Sequence, residues 1–247
     1  MHILGVDVGG SGIKGAVVDV EQGALVTPRL RLATPQPATP AAVTETLVEM
    51  VREFSWQGLV GCGFPAAMQD GVAATAANID PGWIGFDVAQ GFSSATGCGC
   101  SVINDADAAG LAELRFGAGQ DRSDSVLLLT LGTGIGSALF FQGRLFPNLE
   151  LGSLPFKGGS AEEYAAAEVR KRKKLNWKGW SQRLNRVINM FERLLTPDLI
   201  IIGGGVSRKH EKFFPYLDTR AELVPARLFN QAGIIGAAYH AVKSSSN

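Results

Sequence analysis

The chain has 247 residues, of which 46% are hydrophobic and 19% are charged, with equal numbers of acidic and basic side chains. This composition is typical of a globular protein, and the length allows two lobes, because single cores stop growing near ~250–300 residues. The sequence has no apolar run of the ~18 residues that a membrane span needs, no signal-peptide pattern at its start and only three cysteines. We therefore expect a cytoplasmic protein with no membrane partner.

The N-terminal segment predicts a β-hairpin whose turn is suited to binding a phosphate. Strand Ile3–Val8 is followed by the glycine-rich turn Gly9–Gly12 and a second strand, Ile13–Val20. Asp7 lies between two valines, where a buried carboxylate is costly unless it faces a cleft and meets a hydrated cation. Lys14 directly follows the glycines, and its ammonium can reach a phosphate as a point charge.

A proline-rich connector, residues 33–39, leads to a predicted helix with Thr39 as its N-cap and a proline at its first position. A strand over Leu59–Phe64 and a loop over Ala73–Gly85 follow. The loop holds Asn78 beside a Pro-Gly turn. Two interpretations stay open for this residue, ordinary turn chemistry or a hydrogen bond to a sugar hydroxyl.

The next candidate site lies where a short strand, Ser101–Ile103, meets an alanine-rich helix, Ala108–Phe116. Asp105 between them either caps the helix or acts as a general base. The helix dipole and the N–H groups of the first turn favour the ionised carboxylate, which is the state that a base for a hydroxyl needs. The neighbouring Asn104 amide offers a donor and an acceptor, which suits sugar hydroxyls.

A second glycine turn follows the apolar strand Val126–Leu129, and that segment ends at a single carboxylate, Glu150. Gly10–Val17 aligns with Gly132–Leu139, with glycine, hydroxyl, glycine, isoleucine and alanine at matching places. Either hairpin alone is consistent with an ordinary glycine turn. Two copies in one chain indicate a duplicated domain, and hence two lobes whose phosphate turns face each other across a cleft.

The predicted helical region Ala161–Leu195 carries an excess of positive charge. Nine Lys or Arg residues lie between positions 165 and 195 against two Glu residues, so the remainder of the chain is acidic. Arg170–Lys174 together with Lys178 is a candidate track for a polyanion. A solvated helix face is the alternative.

Strand Leu199–Ile202 runs into Gly203–Gly205, a third glycine turn at the end of a strand. Open α/β sheets bind ligands at such places, and an ordinary tight turn is the alternative. The last predicted helix, Asn230–Val242, has Gly233 and Gly236 one turn apart, which allows close packing.

In this order, the segments resemble the sugar kinases of the repressor/ORF/kinase family, within the actin and hexokinase-like superfamily. The resemblance covers essentially the whole chain and rests on LGVDVGGSGIKGAVVD, AANIDPGWIG, INDADAAGLAE, LTLGTGIGSALF, PDLIIIGGGVS and NQAGIIGAA. The short chain, WKGWSQRLNR and TPQPATP resemble the polyphosphate-using glucokinase branch in particular. The resemblance implies an α/β fold of two actin-like (ribonuclease H-like) lobes, residues 1–115 joined by the C-terminal helix 230–243, and residues 116–229.

The resemblance also implies a role for each candidate residue. Asp105 is the expected catalytic base, which accepts the proton of the 6-hydroxyl of glucose. Asp7 is expected to position Mg²⁺ through water. The expected sugar ligands are Asn78, Asn104, Asp105, Glu150, Ser153 and Glu162. The donor, polyphosphate or ATP, is expected at the glycine turns, which comprise Gly9, Gly10, Ser11, Gly12, Lys14, Gly132, Thr133, Gly134, Gly203, Gly204 and Gly205.

Two departures from the family pattern bear on function. The family usually has Glu-x-Gly-His on the sugar, and this chain has a serine, Ser153, where the histidine stands. A serine still donates a hydrogen bond, but it is shorter and carries no charge. Residues 154–175 also lack the cysteine-rich zinc motif of most members, as does the polyphosphate-using branch, so we predict no structural zinc.

These observations favour a Mg²⁺-dependent glucokinase that uses polyphosphate, with ATP as a further donor. Because of Ser153, two alternatives stay open: an ATP-dependent kinase of another hexose, such as mannose or an N-acetylated amino sugar, and a non-catalytic sugar-binding protein. The repressors of the family carry a DNA-binding segment before the first strand, so we expect no nucleic-acid partner here. By analogy with the family, we expect a homodimer.

Overall fold

The computed structural model of the chain describes residues 1–77 and 79–244. They form two compact α/β units, Met1–Ala112 with Gln231–Asn247 and Glu113–Asn230. No helix in the described part of the chain is long and apolar enough to cross a membrane.

The first unit is built on a six-stranded sheet. Its N-terminal part contains the strands β1 (His2–Gly9), β2 (Gly12–Asp19), β3 (Ala24–Leu25), β4 (Leu30–Leu32), β5 (Val60–Phe64), β6 (Met68–Gln69), β7 (Val72–Ala73) and β8 (Cys100–Asn104). The helices of this part are α1 (Pro40–Glu53), α2 (Val88–Thr96) and α3 (Asp105–Phe116), the last of which ends in the second unit. The sheet order is β3-β2-β1-β5-β8, with β4 also on β2, while β6 and β7 pair separately.

Helix α1 begins where the sequence predicts it. The Thr39 side chain accepts a hydrogen bond from the Ala42 N–H at 3.3 Å, and proline occupies the first helical position. Val43, Leu47 and other residues of the apolar stripe are buried in the core of the unit. The cap and the stripe therefore fix both the start of the helix and the face that it turns to the sheet.

The second unit repeats this architecture. Its strands are β9 (Val126–Leu131), β10 (Ile135–Phe141), β11 (Arg144–Phe146), β12 (Pro155–Phe156), β13 (Gly159–Ser160), β14 (Leu199–Gly203) and β15 (Glu222–Pro225). Its sheet order, β11-β10-β9-β14-β15, is again an antiparallel meander of three strands followed by two parallel strands. The predicted duplication of the hairpin is confirmed.

The predicted helical region 161–195 consists of three helices, α4 (Ala161–Ala165), α5 (Ala167–Arg172) and α6 (Trp177–Leu195). The chain breaks first at Ala166, where the backbone is extended (φ −56°, ψ 157°). The buried indole N–H of Trp180 donates to the carbonyls of Ala165 and Ala166 at 2.9 and 3.2 Å, so these groups stay paired at the break. A tertiary contact that is not visible in the periodicity therefore interrupts the region.

The last helix, α7 (Ala232–Ser244), returns to the first unit and packs on its sheet. A Cβ added to Gly236 would lie 1.6 Å from the Ala108 carbonyl oxygen, and one added to Gly61 would lie 2.0 Å from the Ala237 carbonyl oxygen. Both distances are far shorter than any real contact, so only glycine permits this approach. The close packing predicted for this helix is confirmed.

Candidate active site

The carboxyl ends of three parallel strands bring two predicted site residues to one edge of the first sheet. Asp7 on β1 pairs in register with Gly63 on β5, and a Cβ on Gly63 would lie 3.6 Å from the Cα of Asp105. Asp105 directly follows β8. Ligands bind at this edge in open α/β sheets, so the arrangement fits a site that contains both carboxylates.

Asp7 and Lys14 form an ion pair that the sequence interpretation missed. Their Oδ2 and Nζ atoms are 3.0 Å apart, and both side chains are partly buried. The two residues face each other across the β1–β2 hairpin. A hairpin closed by two residues pairs positions 7 and 14, and this register was the signal available in the sequence.

Helix α3 begins at Asp105, three residues earlier than predicted, and Asn104 caps it. The Asn104 Oδ1 accepts from the N–H groups of Ala106 and Asp107 at 2.9 and 3.1 Å, and its Nδ2 donates to the Ala66 carbonyl at 3.0 Å. Since Asn104 supplies the cap, Asp105 is placed in the first turn, where the helix dipole favours its ionised form.

The turn after β1 is held from its carbonyl side. The Arg31 Nη2 donates to the Ser11 carbonyl at 2.6 Å, and the Thr34 hydroxyl and Gln36 amide donate to the carbonyls of Gly9 and Gly10. A Cβ built on Gly10 meets no atom within 4 Å. The turn is therefore positioned by side chains that the sequence interpretation missed, and the space beside Gly10 is open.

A cavity of about 280 Å³ lies beside this turn, within the first unit. It is lined by Gly9 and Gly10 on one side and by Ala77, Ile79 and Asp80 on another. Asn78, predicted to bind the sugar, lies outside the described residues. Its described neighbours nevertheless line a cavity of the size of a small polar ligand.

The second glycine turn has a different geometry. β9 and β10 pair Leu131 with Ile135, so three residues close this hairpin, whereas two residues close the first. The Ile135 N–H donates to the Glu162 Oε2 at 3.1 Å, and the Glu168 N–H donates to the Gly132 carbonyl at 3.0 Å. A Cβ on Gly132 also meets open space. Elements α4 and α5 thus hold the turn in place.

The segment after β11 brings Glu150, Ser153 and Glu162 close together. The Ser153 hydroxyl donates to the Glu150 carbonyl at 2.7 Å, and a Cβ on Gly152 would lie 2.2 Å from the Ile135 carbonyl oxygen. The Glu150 side chain keeps solvent-exposed surface, yet desolvation by the surrounding protein raises its pKa, and the negative charge of Glu162 adds to the shift. Ser153, which stands where the family pattern has a histidine, therefore lies beside these acids.

The third glycine turn packs against the second. Gly204 has a left-handed backbone (φ 78°), and a Cβ there would lie 2.4 Å from the Leu131 carbonyl oxygen. Leu131 immediately precedes the Gly132–Gly134 turn. In the second unit, the structure therefore brings together both predicted donor turns, Gly203–Gly205 and Gly132–Gly134, and the pair Glu150 and Glu162.

Two buried carboxylates in the second unit were not predicted. Glu113 is fully buried and accepts three backbone hydrogen bonds, and Glu192 accepts two. Among residues 1–77 and 79–244, no group of three or more His, Cys, Asp or Glu side chains is placed to hold a metal ion.

Comparison with known proteins identifies relatives over the whole chain. The chain is 46% identical to a polyphosphate glucokinase of Mycobacterium tuberculosis over 247 residues, which is 100% of this chain and 93% of the relative. The crystal structure of an inorganic polyphosphate/ATP-glucomannokinase from Arthrobacter sp. strain KM matches with 44% identity and a TM-score of 0.95, over 98% of this chain and 99% of that one.

A ROK family glucokinase from Streptomyces griseus, solved with glucose and AMPPNP, matches at 24% identity with a TM-score of 0.84, over 98% of this chain and 100% of that one. This likeness concerns the fold, and the predicted actin-like α/β fold class is confirmed. The ROK family model matches residues 3–148. The family predicted from the sequence motifs is therefore confirmed, and the chain belongs to the ROK family.

Proposed function

We propose that the chain is a kinase that transfers a phosphoryl group from inorganic polyphosphate, and also from ATP, to the 6-hydroxyl of glucose. The observation that carries this proposal is the 46% identity to a polyphosphate glucokinase over the whole chain. The glucomannokinase relative, named for polyphosphate and ATP, supports both donors. Its name also favours mannose as a second acceptor.

Asp105 is the proposed catalytic base. Its place in the first turn of α3, after the Asn104 cap, favours the carboxylate that accepts the proton of the attacking hydroxyl. Phosphoryl transfer requires positioning and charge neutralisation more than covalent chemistry, so one well-placed base is sufficient. In this proposal Asn78, Asn104, Glu150, Ser153 and Glu162 hold the other sugar hydroxyls.

The glycine turns are the proposed donor site. Backbone N–H groups of such turns bind anions, and the open space at Gly10 and Gly132 supports this role. Asp7 would hold Mg²⁺ through water, and the ion would neutralise charge on the donor phosphates. Lys14, paired with Asp7, keeps a positive charge beside the first turn.

Three further features belong to this proposal. The lobes are residues 1–115 with 230–243 and residues 116–229, the protein acts as a homodimer, and it works in the cytoplasm without structural zinc. The analogy with the family supports the dimer and the lobes. Three free cysteines support a reducing compartment.

The proposal is tested by glucose 6-phosphate formation with polyphosphate or ATP, in the wild type and in Asp105→Asn. We expect kcat to fall by roughly 10²–10⁴-fold in the variant while glucose binding is kept, because the amide cannot accept the proton. Asp121→Asn is the matched control, since Asp121 is exposed and asparagine tolerates its left-handed backbone (φ 64°). Turnover of Asp105→Asn at the wild-type rate would exclude Asp105 as the base.

A further inference from the structure

The segment 170–178, which contains the end of α5, the loop after it and the start of α6, concentrates positive charge on an exposed surface. Arg172, Lys173, Lys174 and Lys178 are all exposed, and over the ranges that the structure describes none of the four forms an ion pair. Lys171 pairs with Glu168 at 2.9 Å. Adjacent like charges repel each other, and a bound anion would relieve this repulsion.

The segment has a defined shape. The Arg170 guanidinium lies over the Trp177 ring, 4.0 Å from its centre, and also donates to the Leu175 carbonyl. The Asn176 side chain caps α6 by accepting from the Gly179 N–H at 2.8 Å. Both ends of the loop between α5 and α6 are therefore anchored, with Arg172 at the end of α5, Lys173 and Lys174 in the loop and Lys178 in the first turn of α6.

The basic end of α5 lies close to the second donor turn. The Glu168 N–H in the first turn of α5 donates to the Gly132 carbonyl at 3.0 Å. Since α5 has six residues and rises 1.5 Å per residue, its basic end lies about 10 Å from this turn. A phosphate bound at Gly132–Gly134 would thus have the basic end of α5, and the lysines that follow it in the chain, on the side where the next phosphates of a longer chain could bind.

We propose that Arg172, Lys173, Lys174 and Lys178 bind the distal phosphates of an inorganic polyphosphate chain whose terminal phosphate occupies the Gly132–Gly134 turn. This inference rests on the proposed function and assigns a chain-length-dependent donor subsite to it. ATP ends in a nucleoside after three phosphates, so it gains far less from the row of cations than a long polyphosphate does.

The test compares two double variants that remove the same charge. Arg172→Gln/Lys173→Gln changes the proposed subsite. Arg144→Gln/Arg193→Gln removes two exposed cations of the same unit that form no ion pair with any residue that the structure describes. Arg144 follows the far end of β10, about 20 Å from the turn, and Arg193 lies about 24 Å along α6 from its first residue. The measurements are KM for long polyphosphate and for ATP, together with direct binding of polyphosphate by calorimetry at several salt concentrations.

We expect the subsite variant to raise KM and Kd for long polyphosphate about tenfold, with a smaller change for ATP and a shallower salt dependence. The control variant should keep the wild-type values. Equal effects of the two double variants would overturn the inference while leaving the proposed function intact. A wild type that binds polyphosphate through this segment but forms no glucose 6-phosphate would support the subsite and refute the proposed function.

Discussion

The buried Glu113 carboxylate provides a sharp test of the hydrogen-bond pattern in the second unit. Its Oε2 accepts from the N–H groups of Ala118 and Arg227 at 2.8 and 3.1 Å, and its Oε1 accepts from that of Leu228 at 2.7 Å. Three donors thus surround two acceptor oxygens. Glutamine has only one acceptor oxygen, so in Glu113→Gln an NH₂ group must face at least one of these N–H donors.

The expected loss of folding stability in Glu113→Gln follows from the number of N–H donors that glutamine can still pair. In its better orientation, glutamine keeps two of the hydrogen bonds, loses one charge-assisted bond and leaves a buried donor unpaired. Each such loss costs about 1.5–3 kcal/mol, so Glu113→Gln should lower the free energy of unfolding by about 2–4 kcal/mol. Glu192 is the matched control, because among the residues that the structure describes only its Oε1 accepts, from the N–H groups of Arg220 and Ala221. Glu192→Gln keeps both bonds and should cost less than about 2 kcal/mol.

Urea unfolding followed by far-ultraviolet circular dichroism measures both variants against the wild type. The expected order is a clearly lower midpoint for Glu113→Gln and a small shift for Glu192→Gln. An equal loss of stability in the two variants, or a larger loss in Glu192→Gln, would show that the cost does not depend on whether one or both carboxylate oxygens accept hydrogen bonds.

Two further predictions concern packing and pH. Gly236→Ala should lower the free energy of unfolding by about 1–3 kcal/mol or prevent folding, because its Cβ would meet the Ala108 carbonyl. Gly10→Ala is the control and should leave the melting temperature unchanged, because its Cβ meets open space. Thermal unfolding of the two variants and the wild type measures both effects. The raised pKa of Glu150 means that the folded state holds this proton more tightly than the unfolded state. Stability should therefore fall as pH rises above the ordinary value near 4.5 until the raised pKa is passed. Glu162→Gln should lower the pKa of Glu150 and weaken this loss of stability. The free energy of unfolding of the wild type and of Glu162→Gln, measured between about pH 4 and pH 7, tests this. Coinciding pH profiles of the two proteins would contradict it.

The hairpins, α1 and the close packing of α7 were predictable because each depends on local sequence. Alternating apolar residues, a Thr-Pro start and two glycines one turn apart specify these features within one element. The break at Ala166 was not predictable in this way, because it depends on the Trp180 indole from another helix. The role of Glu113 depends on donors more than one hundred residues away in the chain.

The candidate site also combines features that depend on local sequence with features that depend on residues distant in the chain. The strand-to-helix junction at Asp105 was predictable because it is a local pattern, but the pairing of Asp7 with Lys14 requires the register of the hairpin. Glu162 was predicted as a sugar ligand, and its Oε2 also holds the backbone of Ile135 next to the donor turn. A sequence alone does not reveal which backbone group an acid on another element contacts.

The two copies of the hairpin have diverged in how they present positive charge. The first copy carries Lys14 on the strand after its turn, opposite Asp7, whereas the matching place in the second copy is Gly136. The second turn offers an anion its backbone N–H groups and the Thr133 hydroxyl, but no charged side chain of its own. In the second unit the missing charge stands instead at the end of α5, which is hydrogen-bonded to the turn through Glu168. Several cations at the end of a helix and in the loop after it suit a linear donor with many phosphates better than one lysine on a strand does. This is the physical reason to expect a preference for polyphosphate.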